Sequence, residues 1–445
     1  MCGTRNFVVS ALLTVACATG LFAQSNVNQQ ISGSVADATG AVLPNASVTI
    51  ADQGTGLTRN VKTNAAGNYV VPNLPTGRYR VSCEAPGFKK QIVDDNDLLT
   101  DVSIEVNCKL QVGSQSDSVT IQADAVTVET SNGDYGATVT GEQAGELQLN
   151  GRNFPELLQL LPGVSTTYTD GFGLFGGYGV NNSGQSINGG RTDTTTWNLD
   201  GGDNKDNGGG GNNFVNINPN AIGEFRVKTS NYSAEAGTSS GAVVDIAIRS
   251  GTKAFHGMLY EYWRNDHLQA FGFQSLAKPK LRWNNFGGNI GGPVTIPGFN
   301  RFNHDHDKLF FFFSEDLKYL RLGASTTWTV PTAAVKSGNF GTTRVNDPEN
   351  GGVQFPNNVI PQSRIDPNMQ KLVNIYPAAN SGTASFIFNE TTPTNVHQEV
   401  VRTDYNLNEK NQLSFHWAHD HYNQLENTTN LIQYYRQIPG QNTSL

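Results

Sequence analysis

The chain has 445 residues, of which 48 are glycine, 15% are charged and 37% hydrophobic, and its net charge is −8. Such a length predicts two or three domains, and the glycine-, asparagine- and threonine-rich composition predicts turn-rich β structure rather than helical bundles. The acidic balance argues against a nucleic-acid partner, which calls for a basic face.

Residues 1–23 read as a secretory signal peptide. Arg5 supplies the positive start and "FVVSALLTVACATGLFA" (7–23) the apolar core. Cys2 and Cys17 would leave with it, so Cys83 in "YRVSCEA" and Cys108 in "SIEVNCKL" remain as candidates for a disulfide in an oxidising compartment. No other segment is apolar enough for a spanning helix, so any membrane role falls to strands.

Residues 28–112 alternate in short strands such as "ISGSV", "ASVTI" and "NYVV", separated by "DATGAVLPN", "NAAG" and "PNLPTG". Turn signals at that spacing predict a small β-sandwich. The run "GSVADATGAVLPNASVTI…TNAAGNYVVPNLPTGRYRVSCEAPGF" resembles the carboxypeptidase regulatory-like domain. The resemblance implies a transthyretin- or immunoglobulin-like sandwich without catalytic residues, and the chain has no HxxE…H zinc set in a suitable context.

Residues 117–253 mix short strands with a helix expected over "RNFPELLQLLPGV" (152–164), where Asn153 is the N-cap, Pro155 lies in the first turn and Pro162-Gly163 stops it. The segment "GAVVDIAIRSG" then alternates like a half-buried strand.

Residues 254–445 are aromatic-rich, with strands expected near 256–264, 282–294, 308–320, 396–407 and 412–423. Val401, Thr403, Tyr405 and Leu407 fall on one face of the fourth, and Arg402, Asp404 and Asn406 on the other. The return strand puts Leu413, Phe415 and Trp417 outward and Gln412, Ser414 and His416 inward, which suits a membrane barrel with a wet lumen. The connectors run long, medium, very long and short, as alternation between an outer and a periplasmic side requires. The very long one holds "IDPNMQKLVNIYP", a surface helix capped by Asp366 with Pro367 at its first position.

The motifs "LNGRNFPELLQLLPGV", "SINGGRTDTTTWNLDGGDN", "FRVKTSNYSAEAGTSSGAVVDIAIRSGTKAFHG", "YEYWRND" and "NIGGPV…DKLFFFFSED" together resemble TonB-dependent outer-membrane receptors of the Oar-like group. The resemblance implies a mainly β protein of the outer membrane. It would have an N-terminal sandwich and a mixed α/β plug on the periplasmic side, then a barrel of about 22 strands. It also implies import of a bound ligand with energy transmitted through TonB, which pairs with an extended segment by strand addition. The candidate TonB box is "DSVTI": Asp117, Ser118, Val119, Thr120 and Ile121. Five or six strands cannot close such a barrel, and open edges are untenable in lipid, so residues 254–445 read as a truncated, incomplete barrel and the chain as a fragment.

The stretch "NLDGGDNKDNGGGGNNF" (198–214) invites a calcium reading through Asp200, Asp203 and Asp206, but the EF-hand pattern fails at Gly202 and no Glu closes the loop. The resemblance places it in the plug as an apical loop, making Arg191, Trp197, Asp200, Asp203, Asn204 and Asp206 candidate ligand contacts. "GFGLFGG" (171–177) satisfies GxGxxG but lacks the flanking strand and helix of a dinucleotide site. The clusters His304–Asp307 and His416, His419, Asp420, His421 read as a solvated turn and a strand rim rather than metal sites. No catalytic motif, metal or cofactor is expected. The expected partners are a TonB-type energy-coupling protein, outer-membrane lipid and an extracellular carbohydrate, peptide or chelate. The alternative is a secreted or surface-attached adhesin that binds without transport.

Overall fold

The computed structural model describes residues 29–113, 118–122, 133–147, 149, 151–166, 185–192, 194–206, 213–234, 240–270, 280–295, 303–408, 411–426, 436–437 and 441–444. The signal segment, Asp117 and the "GFGLFGG" run lie outside them.

Eight strands make the sandwich: β1 (Gln30–Asp37), β2 (Ser47–Asp52), β3 (Thr58–Lys62), β4 (Asn68–Pro72), β5 (Gly77–Glu84), β6 (Lys90–Leu98), β7 (Ser103–Glu105) and β8 (Cys108–Leu110). One sheet runs β4-β1-β7 with β8 also on β1; the other runs β3-β2-β5-β6 and accepts a ninth strand, β9 (Ser118–Gln122). Alternation makes the core: Ile31, Val35, Val48, Ile50, Tyr79 and Val81 point inward from period-two positions. The Cys83 and Cys108 sulfurs stand at bonding distance, 2.00 Å, joining β5 to β8.

A second five-stranded sheet follows, ordered β10 (Tyr135–Thr140), β15 (Ile222–Ser230), β16 (Val243–Ile248), β13 (Thr196–Leu199) and β14 (Gly202–Asp203); β11 (Val164–Thr166) and β12 (Gln185–Ile187) form a separate hairpin. The expected helix is a 3-10 turn over Phe154–Leu160, and Asn153 makes no cap bond to it. Its side chain instead accepts from Asn216 Nδ2 at 2.9 Å. Phe154, Leu157 and Leu158 are buried with Trp197, Phe225 and Val244, so tertiary burial sets this turn's conformation.

The third sheet runs β17 (His256–Asn265), β18 (Leu281–Pro293), β19 (Leu309–Thr329), β22 (Ser385–Asn408) and β23 (Asn411–Glu426), with the short β24 (Arg436–Gln437) and β25 (Gln441–Ser444) both on β23, all antiparallel, and a small hairpin of β20 (Asn346–Asp347) and β21 (Val353–Gln354) lies between β19 and β22. Its outer face exposes Leu259, Trp263, Phe286, Ile290, Phe313, Leu413 and Phe415, and its inner face buries Phe312, Ser314, Asp316, Lys318, Val400, Asp404 and Ala418. β19 and β22 are longer than expected, reaching 21 and 24 residues because pairing continues to Thr329 opposite Ser385. At about 3.4 Å per residue β22 outruns the ~25 Å apolar band, so its outer end needs backbone pairing but no lipid-facing alternation. Pro367–Ile375 is helical, and Asp366 accepts from the Asn368 and Met369 N–H groups, as the capping pattern requires.

Candidate functional site

The plug sheet is seated against the inner face of β18, β19, β22 and β23. Apolar contact begins the seat: Phe312, Val400 and Ala418 of the barrel wall share one buried cluster with Trp197, Phe225 and Val244 of the plug. Polar groups complete it. Asn218 Nδ2 donates to Ser314 Oγ at 3.1 Å, Asn289 Nδ2 to the Asn220 carbonyl at 3.0 Å, and Lys318 Nζ to the Arg152 carbonyl at 3.0 Å. At Gly251 the chain passes so close to β19 that a Cβ would overlap the Phe311 carbonyl, so only glycine fits the crossing from plug to barrel.

The acidic, glycine-rich stretch resolves into a tight hairpin between β13 and β14. Leu199 pairs with Gly202, and the two residues between them, Asp200 and Gly201, take φ of 46° and 82°. Left-handed φ at both central positions is what a type I′ turn demands, and Asp-Gly is a strong sequence signal for it. The Asp200 carboxylate accepts from the Ile248 N–H at 2.9 Å and faces the barrel wall, where Arg402 Nη1 stands at 3.4 Å and His416 Nδ1 at 3.8 Å. Arg402 also donates to the Ile248 carbonyl at 2.8 Å and pairs with Asp404 at 2.9 Å. Burial pushes the Asp200 carboxyl above the usual carboxylate range, against the pull of Arg402.

This arrangement places three of the candidate ligand contacts within the plug or against the wall. Asp200 is a fastener between plug and wall, placed opposite Arg402, near the short-turn end of β22. Trp197 is fully buried, edge-on to Phe154 at a 5.9 Å centroid separation. Asn204 is buried too, donating to the Val215 carbonyl and accepting from its N–H. The amide and carboxylate groups of the hairpin and the residue after it are taken up by Ile248, Val215 and Arg402, which a reading of composition alone does not reveal. Arg191 and Asp203 are exposed, with Asp203 accepting from the Lys205 N–H at 2.9 Å; Asp206 is half-buried.

The histidine clusters fall on a turn and on two faces of a strand. His304 to Asp307 occupy the turn before β19. Asp420 points inward and is buried, and His416 faces Asp200 of the plug, whereas His419 and His421 share the outer face with ring centroids 6.5 Å apart. Alternation along a strand separates them. On that outer face Glu315, His397 and Glu399 do gather, with His397 Nε2 at 3.0 Å from Glu315 and 3.4 Å from Glu399. There His397 Nε2 stands within hydrogen-bond distance of the Glu315 carboxylate, giving that carboxylate a polar partner on the outer face.

Sandwich and plug are joined as well. Lys228 of β15 pairs with Asp101 of the sandwich and, at 3.0 Å, with Asp245 of β16; the Thr100 N–H donates to the Glu224 carboxylate. Asp245 and Asp101 outweigh burial and hold the Lys228 ammonium above its ordinary range. The candidate TonB-box residues Ser118 to Ile121 lie on this same body, within β9.

Comparison with known proteins agrees in order with these three sheets. Residues 30–128 match the carboxypeptidase regulatory-like domain, 130–244 the TonB-dependent receptor plug domain, and 247–445 an outer membrane beta barrel domain. The chain is 27% identical over 276 residues to the TonB-dependent transporter Oar of Myxococcus xanthus, covering 55% of this chain and 24% of that protein. It therefore spans about a quarter of that relative's length. Among solved structures it is similar to the outer membrane transporter YddB of Escherichia coli, at 11% identity over 66% of this chain and 34% of the other with a TM-score of 0.39. It is also similar to the ferric enterobactin receptor PfeA, at 14% identity over 65% and 33% with a TM-score of 0.33. The chain belongs to the TonB-dependent receptors of the outer membrane, with a carboxypeptidase regulatory-like domain ahead of the plug.

Proposed function

We propose that this chain supplies the periplasmic sandwich, the plug and the first barrel strands of a transporter that binds an extracellular ligand and imports it with force delivered through a TonB-type protein. The observation that carries the reading is the plug's seat on the barrel wall. A plug that must open needs contacts that water can replace as they part. Asp200, Asn218, Asn220 and Arg152 meet the wall through hydrogen bonds and one ion pair, groups whose partners water can supply. An adhesin without transport would have no use for a domain packed inside a barrel wall.

Force enters through Asp117 to Ile121, which lie between sandwich and plug in the sequence and serve as the TonB box. The ligand is a carbohydrate, peptide or chelate. Deleting residues 117–121 from the full-length receptor should abolish energised uptake and leave ligand binding at the cell surface intact. Uptake at the parental rate would remove the TonB-box assignment.

A further inference from the structure

β9 is held by the sandwich. It runs parallel to β6 at the sheet edge, with Lys90 opposite Ser118, Ile92 opposite Thr120 and Asp94 opposite Gln122. None of its five side chains is buried, and Ile121 is 48% exposed. Main-chain hydrogen bonding keeps it there, with little help from the core. β6 differs: it buries Gln91, Val93 and Leu98 and pairs on its other side with β5, so it stays with the domain whatever β9 does. The platform is also fastened to the plug through Asp101 and Lys228, which keeps the strand and its docking edge within reach of each other.

We propose that the β6 edge, Lys90 to Asp94, is a docking surface for the coupling strand, and that the sandwich and the TonB-type protein compete for Ser118 to Gln122. The proposal rests on the TonB-box reading above. Strand addition uses backbone N–H and C=O groups along an edge, and those of β9 that face β6 are already engaged. Tension applied to β9 while it is registered on β6 is taken up by the sandwich sheet. The strand reaches the plug as a force transmitter only after it leaves that edge. The sandwich thus sets a threshold: the coupling protein must outbid five residues of parallel pairing before it can pull.

The test is a reversible staple. Ile92 and Thr120 are direct partners and neither is buried, so Ile92→Cys with Thr120→Cys locks β9 onto β6 when oxidised. Binding of a purified TonB periplasmic domain to the full chain in detergent should be about tenfold or more weaker in the oxidised form, recovering on reduction, with the parental chain unaffected by reductant. Equal affinity in both forms overturns the rivalry and places the partner on the outer edge of β9. No binding by the parental chain overturns the TonB-box reading itself, and the rivalry with it. Hydrogen exchange on the unmodified chain gives an independent check. The alternate amides of Lys90 to Asp94 that point toward β9 should lose protection when the TonB domain binds while those that point toward β5 keep theirs, and retained protection of the β9-facing amides in the complex overturns the proposal.

Discussion

Arg402 on the barrel wall and Asp200 at the tip of a plug hairpin, 202 positions apart, form the ion pair that fastens the plug, with the Arg402 guanidinium also donating to the Ile248 carbonyl. Both side chains are mostly buried, at 15% and 11% exposed. Removing one partner would strand the other charge in a poorly solvated place, which is costlier than losing the attraction.

Arg402→Met should therefore destabilise the seated plug by about 3 kcal/mol, since Asp200 and Asp404 both lose their cation. The Asp200→Asn, Arg402→Met double variant should recover part of that loss. Protease sensitivity of the plug against urea concentration measures both. A double variant worse than the single one would show that Asp200 contributes nothing through Arg402.

Trp197 fills the centre of the plug core beside Phe154. Trp197→Ala should cost about 3–5 kcal/mol of plug stability through the cavity it leaves, and Trp197→Phe a good deal less. Urea midpoints followed by circular dichroism decide this. A Trp197→Ala chain of parental stability would show that the indole does not hold the plug core together.

The joined sandwich and plug should gain stability as pH falls. Glu224 is buried at the joint, and burial raises its carboxyl above the ordinary 4.5, against the Thr100 hydrogen bonds and the nearby Arg226, with Asp97 adding to the rise. A carboxyl whose value is raised in the folded chain takes up a proton on folding. Its contribution is fully present below the free value and is lost as pH climbs through the raised one. Cleavage between sandwich and plug by an added protease should be faster at about pH 8 than at about pH 5, corrected for the protease's own profile, and Glu224→Gln should flatten the difference.

The Cys83–Cys108 pair closes 25 positions of chain between β5 and β8. On the loop-closure account a bridge there is worth about 3 kcal/mol to the sandwich. Peptide mapping under non-reducing conditions should recover the two cysteines in one linked fragment, and Cys83→Ser with Cys108→Ser should lower the sandwich's melting temperature. Two free thiols in the exported protein would show that the bridge does not form.

Much of this architecture was legible in residue patterns. Period-two alternation marked Arg402, Asp404 and Asn406 as inward, and they are the residues turned to the plug side. Asp366-Pro367 announced its helix correctly, because a cap and a proline act within one turn. Asp200-Gly201 also carried its answer, as a type I′ hairpin signal obscured by the acidic, glycine-rich composition around it.

The fate of individual polar residues was another matter. Asn153 looks like an N-cap and bonds Asn216 instead; Asp200 looks like a metal or ligand oxygen and meets Arg402. Ser118 to Ile121 read as an extended coupling segment and lie on β6. By itself the sequence determined the strand faces, the turns and the order of the three sheets, since each depends on neighbours a few residues away. Only the tertiary structure decided which side chain meets which across the plug, the wall and the sandwich. Those partners come from segments far apart in the chain, and their meeting depends on sheet register and seating that no local pattern encodes.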